Sequence, residues 1–268
     1  MTALSNITVT HADSGLIQVE VLRRERITPH MTRVTFTGAA LADFEYQGFD
    51  QWFRLAIGIH DDDRFDNLPS RFGIGGYLKY LALPKGTRPV IRSYTVRAFR
   101  PGSLELDVDF LVHGTEGIAG PWAASAEPGT QAAFIDQGCG WKPVPADWTL
   151  LVADESGLPA VAGILRDMPR DAVGHAMIEL YDAADRQELD APPGMQVHWL
   201  ERDPDTDPGT VLLPVLAGMD LPAGEVYAFA VGESAVATGA RRHLVRERGV
   251  AKQNVTFAGY WKVGRAAG

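Results

Sequence analysis

The chain has 268 residues, of which 46% are hydrophobic, and its 34 acidic and 25 basic side chains give a formal charge of −9. This composition is typical of a soluble globular protein with one large or two ordinary domains, and the net negative charge argues against a nucleic-acid partner. Cys139 is the only cysteine, which excludes an internal disulfide and a cysteine-ligated metal cluster within one chain.

Three further absences narrow the class of protein. No two of the seven histidines are three or four residues apart, so we expect no helical metal site. No apolar run approaches the roughly 18 residues of a membrane helix, so we expect no membrane partner. The amino terminus lacks the pattern of a signal peptide, and we therefore expect a cytoplasmic protein.

The first half of the sequence alternates between apolar and polar residues. This alternation is clearest in residues 17–23, 53–59 and 103–112. A period of two predicts half-buried antiparallel strands, and the glycine- and proline-rich turns between them favour a small barrel or sandwich over residues 15–143. Residues 60–89 are irregular and are expected to form an excursion from it.

The second half, residues 147–268, has a different pattern. Short apolar runs occupy residues 149–153, 176–180, 195–200, 225–231 and 254–258. Helical stretches such as 158–168 separate several of these runs, and this alternation predicts a parallel sheet covered on both faces. A ligand is then expected at the carboxyl ends of the strands, an edge that includes the segment after the first run and the segment after the fourth.

The stretch RSYTVR, residues 92–97, places arginines on either side of a tyrosine and a threonine. In an extended strand Arg92 and Tyr94 project from the same face, about 7 Å apart. A guanidinium can hold a phosphate while the phenol ring covers an aromatic ring attached to that phosphate. The alternative is an exposed edge strand with scattered charges.

A glycine-rich segment follows the strand at 103–112 and leads into an expected helix near Ala123. Glycine-rich backbone at the start of a helix presents N–H groups to an anion. His113 and Trp122 are each compatible with a core position. Together with Arg92, however, they outline a pyrophosphate site with aromatic neighbours.

Five motifs in this order resemble the siderophore-interacting protein family. They are R-x-Y-T-x-R at 92–97, D-F-x-x-H-G-x-x-G-x-A-G-x-W-A at 109–123, D-E-S-G-L-P-A at 154–160, G-E at 232–233 before a helix with paired arginines, and Y-W-K-x-G at 260–264. The resemblance covers roughly residues 17–264. It implies a Greek-key β-barrel that binds FAD, followed by a Rossmann-like α/β domain, on the plan of ferredoxin reductases.

The resemblance also assigns roles to individual residues. Arg92 would bind the FAD diphosphate, Tyr94 would stack on the isoalloxazine, and Thr95 would hydrogen-bond its reactive edge. Tyr260 and Trp261, with Lys262, would close over the flavin or the substrate entrance. The remaining cofactor-binding residues implied are Ser93, Asp109, Leu111, His113, Gly114, Ala119, Gly120, Trp122 and Ala123 in the barrel, and Glu155, Ser156, Gly232, Glu233, Arg241 and Arg242 in the second domain.

The chain departs from the family pattern in two places. Thr238 stands where the family often has an arginine, the usual ligand of a 2′-phosphate, and this predicts weak discrimination between NADPH and NADH or a preference for NADH. Pro121 stands where a third basic residue often lies near the flavin. Arg54 and Lys262 remain as the residues expected to bind the anionic substrate, and we expect them to converge near the flavin.

The resemblance implies a reductase of ferric siderophores of the hydroxamate or catecholate type. A nicotinamide donates two electrons as hydride, whereas ferric iron accepts one, so a flavin is needed between them. No protein residue need act as an acid or a base. We expect a monomer fed by NADPH or NADH, and two alternatives remain: a general flavin reductase or ferredoxin-fed electron-transfer protein, and a siderophore-binding module without significant reductase activity.

Overall fold

The structure is a computed structural model that describes residues 5–11, 15–58, 65, 68, 80, 82, 89–112 and 117–264. The chain divides into two compact units, one formed by Val9–Cys139 and the other by Gly140–Gly268 together with Met1–Thr8. The excursion expected over residues 60–89 lies almost entirely outside the described residues, and so do His113 and Gly114. None of the described helices is long and apolar enough to cross a membrane.

The first unit is an antiparallel β-structure. Its strands are β1 (Ile17–Thr28), β2 (Met31–Thr37), β3 (Trp52–Ile57), β4 (Val90–Thr95), β5 (Ala98–Arg100), β6 (Glu105–Leu111) and β7 (Gln131–Gly138), in the order β4-β3-β7-β1-β2-β6-β5. One short helix, α1 (Ala119–Ser125), precedes β7. The alternation read from the sequence is visible in β1, where the side chains of Ile17, Val19 and Val21 are buried and those between them are exposed.

The sheet of this unit curls into a barrel. Strand β4 lies at one edge of the sheet and β6 lies next to the other edge. Even so, the rings of Tyr94 on β4 and Phe110 on β6 have centroids only 4.3 Å apart. A flat sheet of seven strands would separate these rings by several strand spacings of about 4.8 Å, so the sheet must close on itself.

The outer face of β6 is covered by arginines. Asp107 projects from the side of the strand opposite to Val108 and is nevertheless buried. The Arg100 guanidinium donates to both of its carboxylate oxygens at 2.7 Å, and the Thr35 hydroxyl donates to Oδ1 at 2.8 Å. Long arginine side chains cover apolar surface with their methylene groups, so both faces of this strand are protected from water.

The second unit is a parallel sheet with helices. Its strands are β8 (Trp148–Asp154), β9 (Val173–Leu180), β10 (Gly194–Glu201), β11 (Val226–Glu233) and β12 (Val255–Trp261), in the order β10-β9-β8-β11-β12, and its helices are α2 (Leu158–Asp167), α3 (Leu212–Gly218) and α4 (Ser234–Arg246). Every residue of β11 is buried, as expected for a strand covered on both faces. The predicted fold class, an antiparallel barrel followed by a Rossmann-like domain, is confirmed.

The strand order creates a switch point between β8 and β11. From β8 the chain first builds outward through β9 and β10, and it then returns to build β11 and β12 on the other side. Ligands of such sheets bind where the order reverses, beyond the carboxyl ends of the strands. Asp154 ends β8 and Glu233 ends β11, so these residues mark that position.

The amino-terminal segment lies along the edge strand β12. The Asn6 backbone N–H donates to the Phe257 carbonyl at 3.1 Å, and the Phe257 N–H donates to the Asn6 side-chain oxygen at 2.8 Å. Ser5 forms an antiparallel bridge with Ala258. The segment therefore occupies backbone groups that an edge strand otherwise leaves exposed.

Candidate cofactor-binding sites

The strand β4 orients the residues of the R-x-Y-T-x-R motif. In the register with β3, Arg92 pairs with Leu55 and Tyr94 pairs with Phe53, while Ser93 pairs with Arg54. Paired residues share a face, so Arg92 and Tyr94 project on the side of the buried Phe53 and Leu55. The exposed Ser93 and the half-buried Arg54 project on the opposite side. Thr95, which follows Tyr94, is buried.

Two motifs that are distant in sequence converge on the ring of Phe110. Tyr94 lies against this ring with centroids 4.3 Å apart, and Trp122 of α1 lies 5.7 Å from it. Trp122 is also stacked on Phe36, at 6.2 Å with an interplanar angle of 12°. Burial raises the pKa of Tyr94, although the charge of Arg92 acts in the opposite direction. The motif tyrosine is therefore a neutral ring with a partly buried face.

The two arginines of the motif have different surroundings. Arg97 lies in an ion pair with Asp109 at 3.4 Å, and Arg33 binds the same carboxylate through hydrogen bonds of 2.7 Å and 2.9 Å. The carboxylate of Asp109 is thus enclosed by two guanidinium groups. Arg92 donates to the carbonyl of Ile91, and within the described part of the chain it forms no ion pair. Arg92 is the motif cation better suited to an anionic ligand.

The first turn of α1 approaches the end of β6 closely. A Cβ atom at Gly120 would lie 3.1 Å from the carbonyl oxygen of Leu111, so this contact favours glycine. Ala119 and Ala123 are buried against the barrel core and anchor the helix. The arrangement fits a flat aromatic ligand that carries phosphate, because it combines a half-buried phenol and indole with a cation that has no carboxylate partner among the described residues.

In the α/β unit, a buried carboxylate lies at the switch point. Asp154 Oδ1 accepts from the backbone N–H of Ser156 at 2.9 Å and from that of Gly157 at 3.3 Å. Its Oδ2 accepts from the N–H of Glu233 at 2.6 Å, which ties β8 to β11. Burial, and then the neighbouring charge of Glu155, raises the pKa of Asp154 to about 6.

Glu155 is enclosed by a second charged cluster. Arg202, directly after β10, donates two hydrogen bonds to its carboxylate, at 2.8 Å and 2.7 Å, and lies 3.8 Å from Glu179 of β9. Glu179 in turn accepts from the N–H groups of Val211 and Leu212, at 3.0 Å and 2.9 Å, at the start of α3. The Glu155 carboxylate is therefore occupied by its ion pair with Arg202, and this buried pair holds the loop after β8 in place.

The ends of β11 and β12 complete this edge of the sheet. Gly232 has a φ of 120°, and a Cβ atom there would lie 2.5 Å from Asp154 Oδ1. The Glu233 side chain caps α4 by accepting from Ala235 N–H, and its Oε1 accepts from Val263 N–H at 3.2 Å. The half-buried Trp261 donates its indole N–H to Ser156 Oγ at 3.1 Å. The structure thus brings Ser156, Gly232, Glu233 and Trp261 together.

Other predicted residues lie away from this edge or are exposed beside it. The Arg241 guanidinium lies over the ring of Phe257 at 4.8 Å, on a helix that has advanced about 10 Å from Ser234. Arg242 is exposed on the same helix. Thr238 is in the first turns of α4 and donates to the Ser234 carbonyl at 2.6 Å. Tyr260 and Lys262, beside Trp261, are exposed.

The barrel and the α/β unit each match a protein-family model. Residues 20–139 match the siderophore-interacting FAD-binding domain, and residues 146–264 match the siderophore-interacting protein domain. The chain belongs to the siderophore-interacting protein family. The resemblance read from the five motifs is therefore confirmed.

Named relatives are similar to this protein over nearly the whole chain. The ferric vibriobactin reductase ViuB of Vibrio cholerae is 33% identical over 92% of this chain and 89% of its own length. The NADPH-dependent ferric-chelate reductase of Escherichia coli is 30% identical over 91% of this chain and 92% of its own. The crystal structure of a siderophore utilization protein from T. fusca is 33% identical, with a TM-score of 0.76 over 97% of each chain.

Sequence reasoning did not single out two charged residues of the α/β edge, Glu179 and Arg202, and it included Asp154 only as the first residue of the motif at 154–160. Asp154, Glu179 and Arg202 are buried and connect the ends of β8, β9, β10 and β11. The available signal was position: Asp154 directly follows the apolar run at 149–153, Glu179 is the last residue but one of the run at 176–180, and Arg202 lies two residues after the run at 195–200. A buried parallel strand rarely ends on a charge that lacks a partner, so charged residues near three strand ends predict contacts among them.

Proposed function

We propose that this protein is an FAD-dependent oxidoreductase that takes electrons from NAD(P)H and reduces ferric-siderophore complexes one electron at a time, releasing iron(II). The observation that carries the proposal is the convergence of Tyr94 and Trp122 on the ring of Phe110. Two family motifs, 28 residues apart in the sequence, thereby form one aromatic site in the barrel. Relatives named as ferric reductases support the reaction class.

In the barrel, Arg92 would hold the FAD diphosphate and Tyr94 would cover the flavin ring. Thr95 would donate or accept a hydrogen bond at the ring edge, and Trp122 would border the adenosine or the diphosphate. Asp109 would act indirectly, because its carboxylate already binds Arg33 and Arg97. The remaining contacts with FAD would be close contacts with the backbone of Ser93, Leu111, Ala119, Gly120 and Ala123. His113 and Gly114 complete the proposed set.

In the α/β unit, the nicotinamide nucleotide would bind at the carboxyl ends of β8, β11 and β12. Ser156 and Gly157 follow β8 and lead into α2, whose first turn contains Pro159. Glu233 and Gly232 end β11 beside them. Loop backbone at a switch point approaches a nucleotide closely, and this is the reason for placing the ligand there.

A bound flavin supplies the conversion between a two-electron donor and a one-electron acceptor. The protein residues position the cofactor and exclude water from its partly buried face, and none of them is required to transfer a proton. Iron(III) bound by hydroxamate or catecholate oxygens is the substrate. Reduction to iron(II) weakens its bonds to these hard ligands, and the metal is released.

The alternative functions differ in whether they require a nucleotide at the α/β edge. A general flavin reductase would use the nicotinamide nucleotide but would pass the electrons to another diffusible acceptor. A ferredoxin-fed protein would retain the FAD site without requiring nicotinamide or siderophore. A siderophore-binding module would require neither electron donor nor turnover. The ordered arrangement of Asp154, Ser156 and Glu233 at the switch point favours a nucleotide-using enzyme over a ferredoxin-fed protein and over a binding module. Oxidation of the reduced flavin by a ferric siderophore separates the proposal from a general flavin reductase.

The test uses the purified full-length protein. The flavin released by denaturation is identified first, and FAD is expected rather than FMN. Under anaerobic conditions, NADH or NADPH should bleach the flavin absorbance, and a ferric hydroxamate or ferric catecholate should restore it while an iron(II) chelator develops colour. Flavin that neither nucleotide reduces, or reduced flavin that ferric siderophores do not oxidise, would contradict the proposal.

A further inference from the structure

A chain of side-chain hydrogen bonds runs from a half-buried indole to a buried carboxylate. Trp261 Nε1 donates to Ser156 Oγ at 3.1 Å, and Ser156 Oγ donates to Asp154 Oδ1 at 2.5 Å. The direction of each bond is fixed by chemistry. An indole N–H can only donate, and an ionised carboxylate can only accept, so the serine hydroxyl must accept from Trp261 and donate to Asp154.

The carboxylate end of this chain is rigid. Asp154 is fully buried and accepts from the backbone N–H groups of Ser156, Gly157 and Glu233. Gly232 allows the close approach, because a Cβ atom there would lie 2.6 Å from Asp154 Cγ. The position of the Ser156 hydroxyl is therefore set by strand ends and does not depend on a mobile surface group.

The backbone and the side chain of Trp261 are held separately. Its carbonyl oxygen accepts from the Ser234 hydroxyl at 2.7 Å, and its Cα pairs with Glu233 in the sheet. These contacts fix the end of β12 whether or not the indole is oriented. The indole N–H, in contrast, bonds to Ser156, so this bond can be removed without releasing the strand.

Four charged groups surround Asp154. Glu155 is the next residue, Glu179 is its register partner on β9, Glu233 donates its backbone N–H from β11, and Arg202 compensates Glu155 and Glu179. Three carboxylates and one guanidinium leave a local excess of negative charge. Burial and the Glu155 charge place the pKa of Asp154 at about 6, so the acceptor end of the chain changes charge just below neutral pH.

We propose that Ser156, anchored by Asp154, is a positioning residue that fixes the orientation of the Trp261 indole at the edge of the sheet where the nicotinamide nucleotide binds. The proposal depends on the proposed function only for the identity of the ligand at this edge. A fixed indole presents a preformed flat surface to that ligand, which reduces the entropy lost on binding. Loss of the serine hydroxyl should therefore weaken the productive complex.

The spectroscopic test needs no turnover. The FAD-loaded protein is labelled with ¹⁵N at its six tryptophan indoles, and Trp261→Phe identifies the signal of interest. In the wild type this signal should move with pH, with a midpoint near the Asp154 pKa of about 6. In Asp154→Asn and in Ser156→Ala the titration should disappear, and in Ser156→Thr, which keeps the hydroxyl, it should persist. Asp171→Asn and Ser103→Ala change two separate exposed residues and serve as the matched controls. In both variants the Trp261 signal should titrate as in the wild type.

The kinetic test follows flavin reduction by NADH and by NADPH under anaerobic conditions. One lost hydrogen bond corresponds to roughly a fivefold decrease in the reduction rate per unit nucleotide concentration for Ser156→Ala, with recovery to within about twofold in Ser156→Thr. An indole signal that ignores both pH and Ser156→Ala overturns the inference even if the nucleotide reduces the flavin normally. If neither nucleotide reduces the wild type, the proposed function fails, and the indole titration still decides whether Ser156 positions Trp261.

Discussion

Arg202 holds the Glu155 carboxylate through two hydrogen bonds, of 2.8 Å and 2.7 Å, in the interior of the α/β unit. The two residues follow β10 and β8, which are separated in the sheet by β9. The guanidinium therefore spans the end of β9, where Glu179 lies 3.8 Å away. A buried ion pair of this kind orders the loop that leads into α2.

Arg202→Met should destabilise the protein by about 3–5 kcal/mol, because it leaves Glu155 buried without its partner. Arg170→Met is the matched control, since the Arg170–Asp190 pair is exposed and should be worth less than about 1 kcal/mol. Urea unfolding measures both. The double variant Arg202→Met/Glu155→Gln should recover part of the loss, and equal costs for the two single variants would contradict a structural role for Arg202.

Tyr94 should bind FAD through its ring rather than through its hydroxyl. The ring lies against Phe110 and burial raises the pKa of the phenol, so the group is neutral at working pH. Tyr94→Phe should retain FAD, whereas Tyr94→Ala should weaken binding by more than about tenfold, since stacking adds to the loss of buried area. Titration of apoprotein with FAD measures both. Equal affinities in the two variants would place Tyr94 outside the flavin site.

The sequence predicted the architecture because the two halves bury their strands differently. Alternation in β1 and β6 indicated antiparallel strands, and continuous apolar runs such as β11 indicated parallel ones. The five motifs predicted the family. Three features could not be read in this way. The Arg202–Glu155 pair joins positions 47 residues apart, Arg97 turns to Asp109 on a neighbouring strand, and Asn6 lies along β12. Each depends on strand order, which periodicity alone does not specify.

Asp154 should make the stability of the protein depend on pH. Its pKa is about 6 in the folded protein, above the ordinary value of 3.8, so the folded state binds the proton more tightly than the unfolded state. The stabilisation from this group is complete below about pH 4 and is lost as pH rises through 6. The difference of about two units corresponds to roughly 3 kcal/mol.

Asp154→Asn isolates this contribution, because the amide does not titrate. The difference in unfolding free energy between the wild type and Asp154→Asn should change in favour of the variant by about 2 kcal/mol from pH 4.5 to pH 7.5. The amide also disturbs the hydrogen bonds that Asp154 accepts, but that cost is the same at each pH. A constant difference across this range would show that Asp154 has an ordinary pKa.

The electron donor should be NADH, or the protein should discriminate weakly between NADH and NADPH. Thr238 offers no positive charge for a 2′-phosphate, and the Arg241 guanidinium lies over Phe257. Anaerobic flavin reduction gives kcat/KM for each nucleotide. Arg241→Ala and Arg242→Ala should change the NADH to NADPH ratio by less than about threefold. A strong preference for NADPH that disappears in either variant would show that these arginines bind the phosphate.

Arg54 and Lys262 should attract the anionic substrate. They belong to different units of the chain. Because the net charge of the chain is −9, an anionic ferric chelate approaches against the overall field. Arg54 projects on the opposite face of the barrel sheet from Tyr94, and Lys262 is exposed beside Trp261. The double variant Arg54→Gln/Lys262→Gln should slow oxidation of the dithionite-reduced flavin by an anionic ferric siderophore.

The effect should be several-fold at low ionic strength and should largely disappear near 0.5 M salt, where the screening length falls to about 4 Å. Lys252→Gln removes one charge from an exposed site elsewhere in the α/β unit and should leave the rate unchanged. A neutral ferric hydroxamate should react equally with the wild type and the double variant, because steering requires charge on the substrate. If the double variant keeps both the rate and the salt dependence of the wild type with the anionic chelate, these two residues do not guide the substrate.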